Sequence, residues 1–210
     1  MRTWAHRAAV CGCAGLVLAV GVATATANRL QASSQLVRAT WSQVSFEIGP
    51  GIGTIRCALT LEGSLHGRTF AKVREALLGY LTAASIQTPC TNGELHLLAE
   101  TLPWHLRYES FTGTLPRLTS IRFRLVEFNL WFTNFGFRCL YRSTLAFTWF
   151  RGEPSPIPEF PEFETPPSVS LEGSMPEIQR GLCLGTIRVE GRGGRFTNLG
   201  STTLASFSLI

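Results

Sequence analysis

The sequence predicts an all-β fold, an antiparallel sandwich or barrel of roughly eight to ten strands. Two observations carry this. Apolar and polar residues alternate over stretch after stretch, which places one set on each face of a pleated strand. Gly, Pro and Asn-Gly turn signals separate these stretches at short intervals.

The chain opens with Arg2, His6 and Arg7 ahead of an apolar run from Ala8 to Val22, and then Ala25-Thr-Ala27. This is the order of basic, apolar and small residues in a secretory signal peptide. The apolar run is shorter than the roughly 20 residues a membrane span needs. Cleavage is therefore expected after Ala27, with residues 1–27 removed and 28–210 forming a single β-rich domain. The expected location is secreted or extracytoplasmic.

From there each element is justified in turn. Residues 28–34 read as a polar arm. Leu36 to Ile48 alternates through Val44, Phe46 and Ile48 and stops at Gly49-Pro-Gly-Ile-Gly53. Ile55, Cys57, Leu59 and Leu61 alternate with Arg56, Ala58, Thr60 and Glu62, a half-buried strand. Residues 70–82 are ambiguous. Phe70, Val73, Leu77, Tyr80 and Leu81 fit helical spacing with Thr69 as a cap, so one short helix near 70–82 competes with two strands, at about 68–73 and 77–88. The β-rich context favours strands.

Asn92-Gly93 is a hairpin signal, since both residues tolerate positive φ. The central feature follows. Leu102, Trp104, Leu106 and Tyr108 alternate with polar residues, as do Ile121, Phe123 and Leu125. Ser110 to Thr119 supplies the Gly and Pro of a reversal between them. Beyond Leu125 the phase shifts to Val126, Phe128 and Leu130, which predicts a β-bulge. Cys139 to Phe150, Ser168 to Gly173, Leu184 to Glu190 and Thr202 to Ile210 read as the remaining strands, with Gly191-Arg-Gly-Gly-Arg195 as a flexible basic loop.

Residues 152–167 hold six of the eleven prolines and four glutamates. Such a density of proline removes ladder donors and fixes φ, so an extended Pro/Glu-rich loop is expected, an insertion between strands.

An even number of cysteines in an exported chain reads as disulfides. Of three connectivities the sequential one, Cys57–Cys90 with Cys139–Cys183, is preferred. Each bridge then closes a loop of a few tens of residues, worth about 3–4 kcal/mol by chain entropy. No C-x-x-C pair or His-rich cluster supports a zinc site instead.

Composition narrows function. The full chain carries a formal charge of +5 and loses Arg2 and Arg7 with the signal segment, which leaves no footprint for nucleic acid. Aspartate is absent and Lys72 is the single lysine, so any mechanism requiring Asp is excluded. No G-x-S-x-G elbow and no Gly-rich phosphate loop occurs. His66, His96 and His105 sit in separate segments. Glu94 with His96, and His105 with Arg107 and Glu109, share strand faces, as residues on any solvated strand face do. Glu62, Glu94, Glu100 and Glu109 include no pair at a spacing that singles out glycoside hydrolysis. No catalytic, cofactor-binding or metal-binding residue is assigned, and no cofactor is expected.

Ten aromatics, among them Trp41, Trp104, Phe123, Phe128, Phe147 and Trp149, are expected in the core. Trp131-Phe132 and Trp149-Phe150 are adjacent pairs, so one member of each faces away from it, a hint of an exposed apolar patch.

Leu61-Glu-Gly-Ser-Leu-His66, Gly79-Tyr-Leu-Thr82, Glu100-Thr-Leu-Pro-Trp-His105 and Tyr108-Glu-Ser-Phe-Thr-Gly-Thr-Leu-Pro116 resemble a family of exported bacterial proteins of unknown function that shares this cysteine spacing. The resemblance covers most of the chain after residue 27 and implies an exported β-domain with two disulfides. It implies no activity.

The expected function is thus a non-catalytic secreted or envelope-associated binding or structural domain. Its partner is unidentified, with the cell envelope or an apolar small molecule as candidates. The alternatives are a secreted hydrolase using His96 or His105 with a glutamate, and a lipocalin-like carrier of an apolar ligand. Against the last, Ala39-Thr-Trp41 lacks the glycine of the lipocalin first-strand motif.

Overall fold

The computed structural model describes residues 29–49, 53–114, 117–134, 137–153, 165–178, 183 and 185–210. The expected signal segment, residues 1–27, lies outside them, as does 154–164 of the Pro/Glu-rich loop. The strands are β1 (Arg29–Ala32), β2 (Leu36–Gly49), β3 (Gly53–Leu65), β4 (Thr69–Ala71), β5 (Leu77–Thr91), β6 (Leu95–Leu97), β7 (Trp104–Thr114), β8 (Arg117–Asn134), β9 (Phe137–Phe150), β10 (Ser168–Pro176), β11 (Thr186–Asn198) and β12 (Phe207–Leu209).

Eight of them close into an antiparallel barrel. Around the wall the order is β8-β7-β5-β3-β2-β11-β10-β9, and β9 pairs back onto β8 from Ser120↔Phe150 to Asn134↔Phe137. Of the two architectures the sequence allowed, the closed ladder selects the barrel. β6 adds to the far half of β8, pairing Leu95 with Phe132.

The closure follows from the alternation. On β3, Ile55, Cys57, Leu59 and Leu61 are buried while Arg56 is exposed; on β8, Ile121, Phe123 and Leu125 point in and Arg122 points out. An eight-strand barrel is just wide enough for its own side chains, and Trp104, Trp149, Tyr141, Phe46, Phe123, Phe128 and Phe132 fill it. An apolar inside with Arg, Glu, Ser and Thr outside is the reverse of barrels that cross bilayers.

A second, three-stranded sheet, β12-β1-β4, closes one mouth. Leu30 is fully buried beneath it. From β12, Phe207 meets Trp149 at 5.2 Å, Phe123 at 5.6 Å and Phe196 at 5.9 Å between ring centroids, and Phe70 of β4 at 6.1 Å.

The favoured reading of 70–82 as two strands holds, as β4 and β5 with no helix there, while other expectations are corrected. Phe70 belongs to β4, and Glu75 adopts φ 65° in the turn before β5. Val73, which the helical reading would bury, is exposed, and Leu77 begins β5. The helical spacing arises because Phe70 serves the cap sheet while Leu78 and Leu81 serve the barrel. The central reversal is much tighter than Ser110 to Thr119, since β7 and β8 remain paired to Thr114↔Arg117. Asn92 (φ 65°) and Gly93 (φ 149°) make the expected turn, yet β6 beyond it pairs with β8 rather than back onto β5. Gly191 to Arg195 is no loop but the middle of β11. The C-terminal strand shortens to Phe207–Leu209.

The expected bulge is present. The β8–β9 register slips between Leu125 and Phe128, and Glu127 there has φ 68°. Asn129, 1% exposed, locks it: its Nδ2 donates to the Glu127 carbonyl at 2.6 Å and to Thr101 Oγ1 at 3.0 Å, and its Oδ1 accepts from Arg142 Nε at 2.7 Å.

Both disulfides link sequential cysteines. Cys57 of β3 bonds Cys90 of β5 with Cα atoms 4.6 Å apart, and Cys139 of β9 bonds Cys183 with Cα atoms 5.7 Å apart. The first straps two adjacent strands of the wall, and the second ties β9 to the connection between β10 and β11.

Candidate functional site

The residues singled out by chemistry do not converge. His96 stacks on Trp131 with ring centroids 4.1 Å apart, and the Arg138 guanidinium lies over the same indole, 4.3 Å from a ring centroid. The carboxylate beside His96 is Glu94, 84% exposed and 3.9 Å away, too far for a hydrogen bond. His66 and His105 flank Tyr80 on the outer wall, with centroids 5.0 and 5.3 Å from it. Glu62 pairs with Arg38 at 2.7 Å, and Glu109 with Arg122 at 3.0 Å. Among the described residues no group of three or more His, Cys or Glu side chains is placed to hold a metal. The Tyr108 phenol is pushed above its usual value by burial.

The barrel interior is nearly solid. Under the cap sheet a cavity of about 20 Å³ remains, lined wholly by apolar side chains that include Val37, Leu61, Leu81, Leu106, Phe123, Phe147, Phe196 and Phe207. That is room on the order of a single water molecule.

A broad concavity lies on the outside. A groove of about 570 Å³ crosses β7 to β11. Strand alternation supplies its lining: Ile121, Trp149 and Val169 point into the barrel, so Ser120 and Arg122, Thr148 and Phe150, Ser168 and Ser170 point out. Register aligns them, with Ser120 opposite Phe150, Arg122 opposite Thr148 and Thr148 opposite Ser170. Ser110 and Thr112 of β7 form one rim, and Glu190 and Arg192 of β11 the other.

Register shifts interrupt the strands of this wall. Between Tyr108 and Ser110 the β7–β8 register slips, bringing Glu109 and Ser110 to the same side. Between Val169 and Leu171 the β10–β11 register slips opposite Gly191 and Gly194. There Trp41 rises from inside and donates its indole N–H to the Val169 carbonyl at 3.2 Å. A Cβ at Gly194 would run into Trp41 Nε1, so only glycine admits the indole at that place.

Ser120 and Thr148 face outward yet are only 8% and 7% exposed, because they form the floor. The Ser120 and Thr112 hydroxyls bond one another at 2.8 Å. Phe150, 41% exposed, stands at one edge. The ions at the groove are paired: Arg122 with Glu109 at 3.0 Å and Glu172 at 3.7 Å, Arg192 with Glu190 at 2.6 Å.

Of this set sequence reading offered Trp149-Phe150 as a pair with one outward member, and the structure turns Phe150 out. The serines and threonines were missed because each is an ordinary outward residue on its own strand. Their one signal, Thr148 spaced two from Phe150 and Ser168 two from Ser170, gains meaning once the register is known.

Comparison with protein-family models, with curated proteins and with solved structures returns no match. Two intramolecular disulfides are consistent with an oxidising, extracytoplasmic environment.

Proposed function

We propose that the chain is a non-catalytic binding domain, secreted or envelope-associated, that binds through the outer groove on β7–β11. The observation that carries this reading is the groove itself: a concavity in the outer wall, crossed by register shifts and floored by outward hydroxyls that are nearly buried. Its volume lies within the roughly 300–1,000 Å³ of small-molecule sites. The disulfides support an extracytoplasmic setting. The dispersal of His66, His96 and His105 gives no support to the hydrolase alternative. An interior cavity of about 20 Å³ gives none to the apolar carrier.

A thermal-shift screen across chemical classes tests the proposal, because a ligand of the folded state raises its stability by mass action. Two variants accompany the disulfide-bonded protein: Ser170→Trp, which fills the groove, and Thr60→Trp, on the opposite wall. The expected result is a ligand whose stabilisation is lost in Ser170→Trp and kept in Thr60→Trp. Stabilisation indifferent to Ser170→Trp, or turnover of any compound bound, would overturn it.

A further inference from the structure

Resting on that reading, we propose that the groove takes a neutral saccharide. Ser110, Thr112, Ser120, Thr148, Ser168 and Ser170 line it with hydroxyls. Each is one donor and two acceptors, the complement of a ligand made of hydroxyls. Even the bonded pair Thr112 and Ser120 keeps one proton and several lone pairs to offer.

Charge argues for neutrality. The lining carries Arg122 and Arg192 against Glu172 and Glu190, and both arginines already face carboxylates. An anion would have to displace Glu109 or Glu172 from Arg122, and a cation would meet the arginines. A polyol loses nothing, since fixed guanidinium and carboxylate groups bond its hydroxyls in pairs. Phe150, exposed beside this polar floor, offers a ring face whose partial negative charge attracts the C–H face of a sugar ring.

Other occupants fit less well. An apolar ligand would strip water from the Ser120 and Thr148 hydroxyls without replacing its hydrogen bonds, which is unfavourable. A peptide adding as a strand needs a free edge. Along the floor, β8, β9 and β10 are hydrogen-bonded on both sides, so no edge is offered there.

The test is titration calorimetry of the disulfide-bonded protein with neutral oligosaccharides (gluco-, galacto- and N-acetylglucosamine-based) and with uronate and sulfated ones. Wild type, Phe150→Ala and Ser170→Trp are compared, each checked for native circular dichroism. The expected result is binding of at least one neutral oligosaccharide, weakened about three- to tenfold by Phe150→Ala and abolished by Ser170→Trp, with little dependence on salt. Binding restricted to charged saccharides and falling steeply with salt would overturn the inference, as would neutral binding unaffected by both variants. If no saccharide binds while another class binds in a way that Ser170→Trp abolishes, the saccharide inference fails and the binding function stands. If nothing bound responds to Ser170→Trp, both fail.

Discussion

Phe207→Ala tests what holds the barrel mouth shut. Phe207 is 8% exposed and its ring contacts Phe70, Phe123, Trp149 and Phe196, so it joins the cap sheet to the barrel core. Truncating a buried Phe to Ala costs about 3–5 kcal/mol. The slight exposure and the place at one end of the core put this case near 3. For a domain of this size that is a loss of about 6–12 °C in Tm. The vacated space joins the existing cavity, whose lining is apolar, and such a void stays dry. Urea unfolding followed by tryptophan fluorescence reads the change, because Trp149 sits edge-on to Phe207. A second arm adds benzene or xenon, which should restore part of the lost stability to the variant and none to wild type. A loss below about 1 kcal/mol would refute the assignment of Phe207 as a core residue, and a full loss with no rescue would show that the cap sheet collapses onto the gap.

Three further outcomes follow from single features. Asn129→Ala leaves the Glu127 carbonyl and Arg142 without their partner at the bulge and should cost about 2–4 kcal/mol in urea unfolding. Replacing Cys139 and Cys183 together by Ser opens a loop of sequence separation 44 and should cost about 4 kcal/mol; peptide mapping without reductant should recover 57–90 and 139–183 links and no cross-pairs. Tyr108, its phenol pushed above the usual value of about 10 by burial, contributes stability that is intact below that value and lost as pH rises through its folded pKa. Unfolding free energy should thus fall on the alkaline side less steeply in Tyr108→Phe than in wild type, and parallel curves would contradict this.

The wall of the barrel was legible in the sequence because burial imposes a period of two. Ile55-Cys57-Leu59-Leu61 and Ile121-Phe123-Leu125 announced their inward faces, and the phase slip after Leu125 announced the bulge. Residues 70–82 were ambiguous for a physical reason: their apolar side chains serve two different layers, so no single period fits. Gly191 to Arg195 was misread because Gly191 and Gly194 answer not to a turn but to an indole from β2, a contact between residues more than a hundred positions apart. The groove was illegible on the same ground. Its hydroxyls come from β7, β8, β9 and β10, and nothing local to any of them records which strands will adjoin.

That indole also couples the core to the groove, and Gly194→Ala makes the coupling measurable. Gly194 lies outside the groove lining, but its added methyl would displace Trp41 and break the bond to the Val169 carbonyl. Overpacking costs about 1–3 kcal/mol. Val169 sits between Ser168 and Ser170, so moving its carbonyl shifts two groove hydroxyls on β10. The expected variant is therefore both less stable and weaker in binding any groove ligand. Trp41→Phe serves as the comparison: it removes the same N–H and part of the ring volume without forcing β11 outward, at a cost of about 1–3 kcal/mol. If the hollow depends on the indole filling the gap beneath it, Gly194→Ala should weaken binding more than Trp41→Phe does at matched stability. Equal binding in both variants and wild type would show that the groove is set by the outer wall alone.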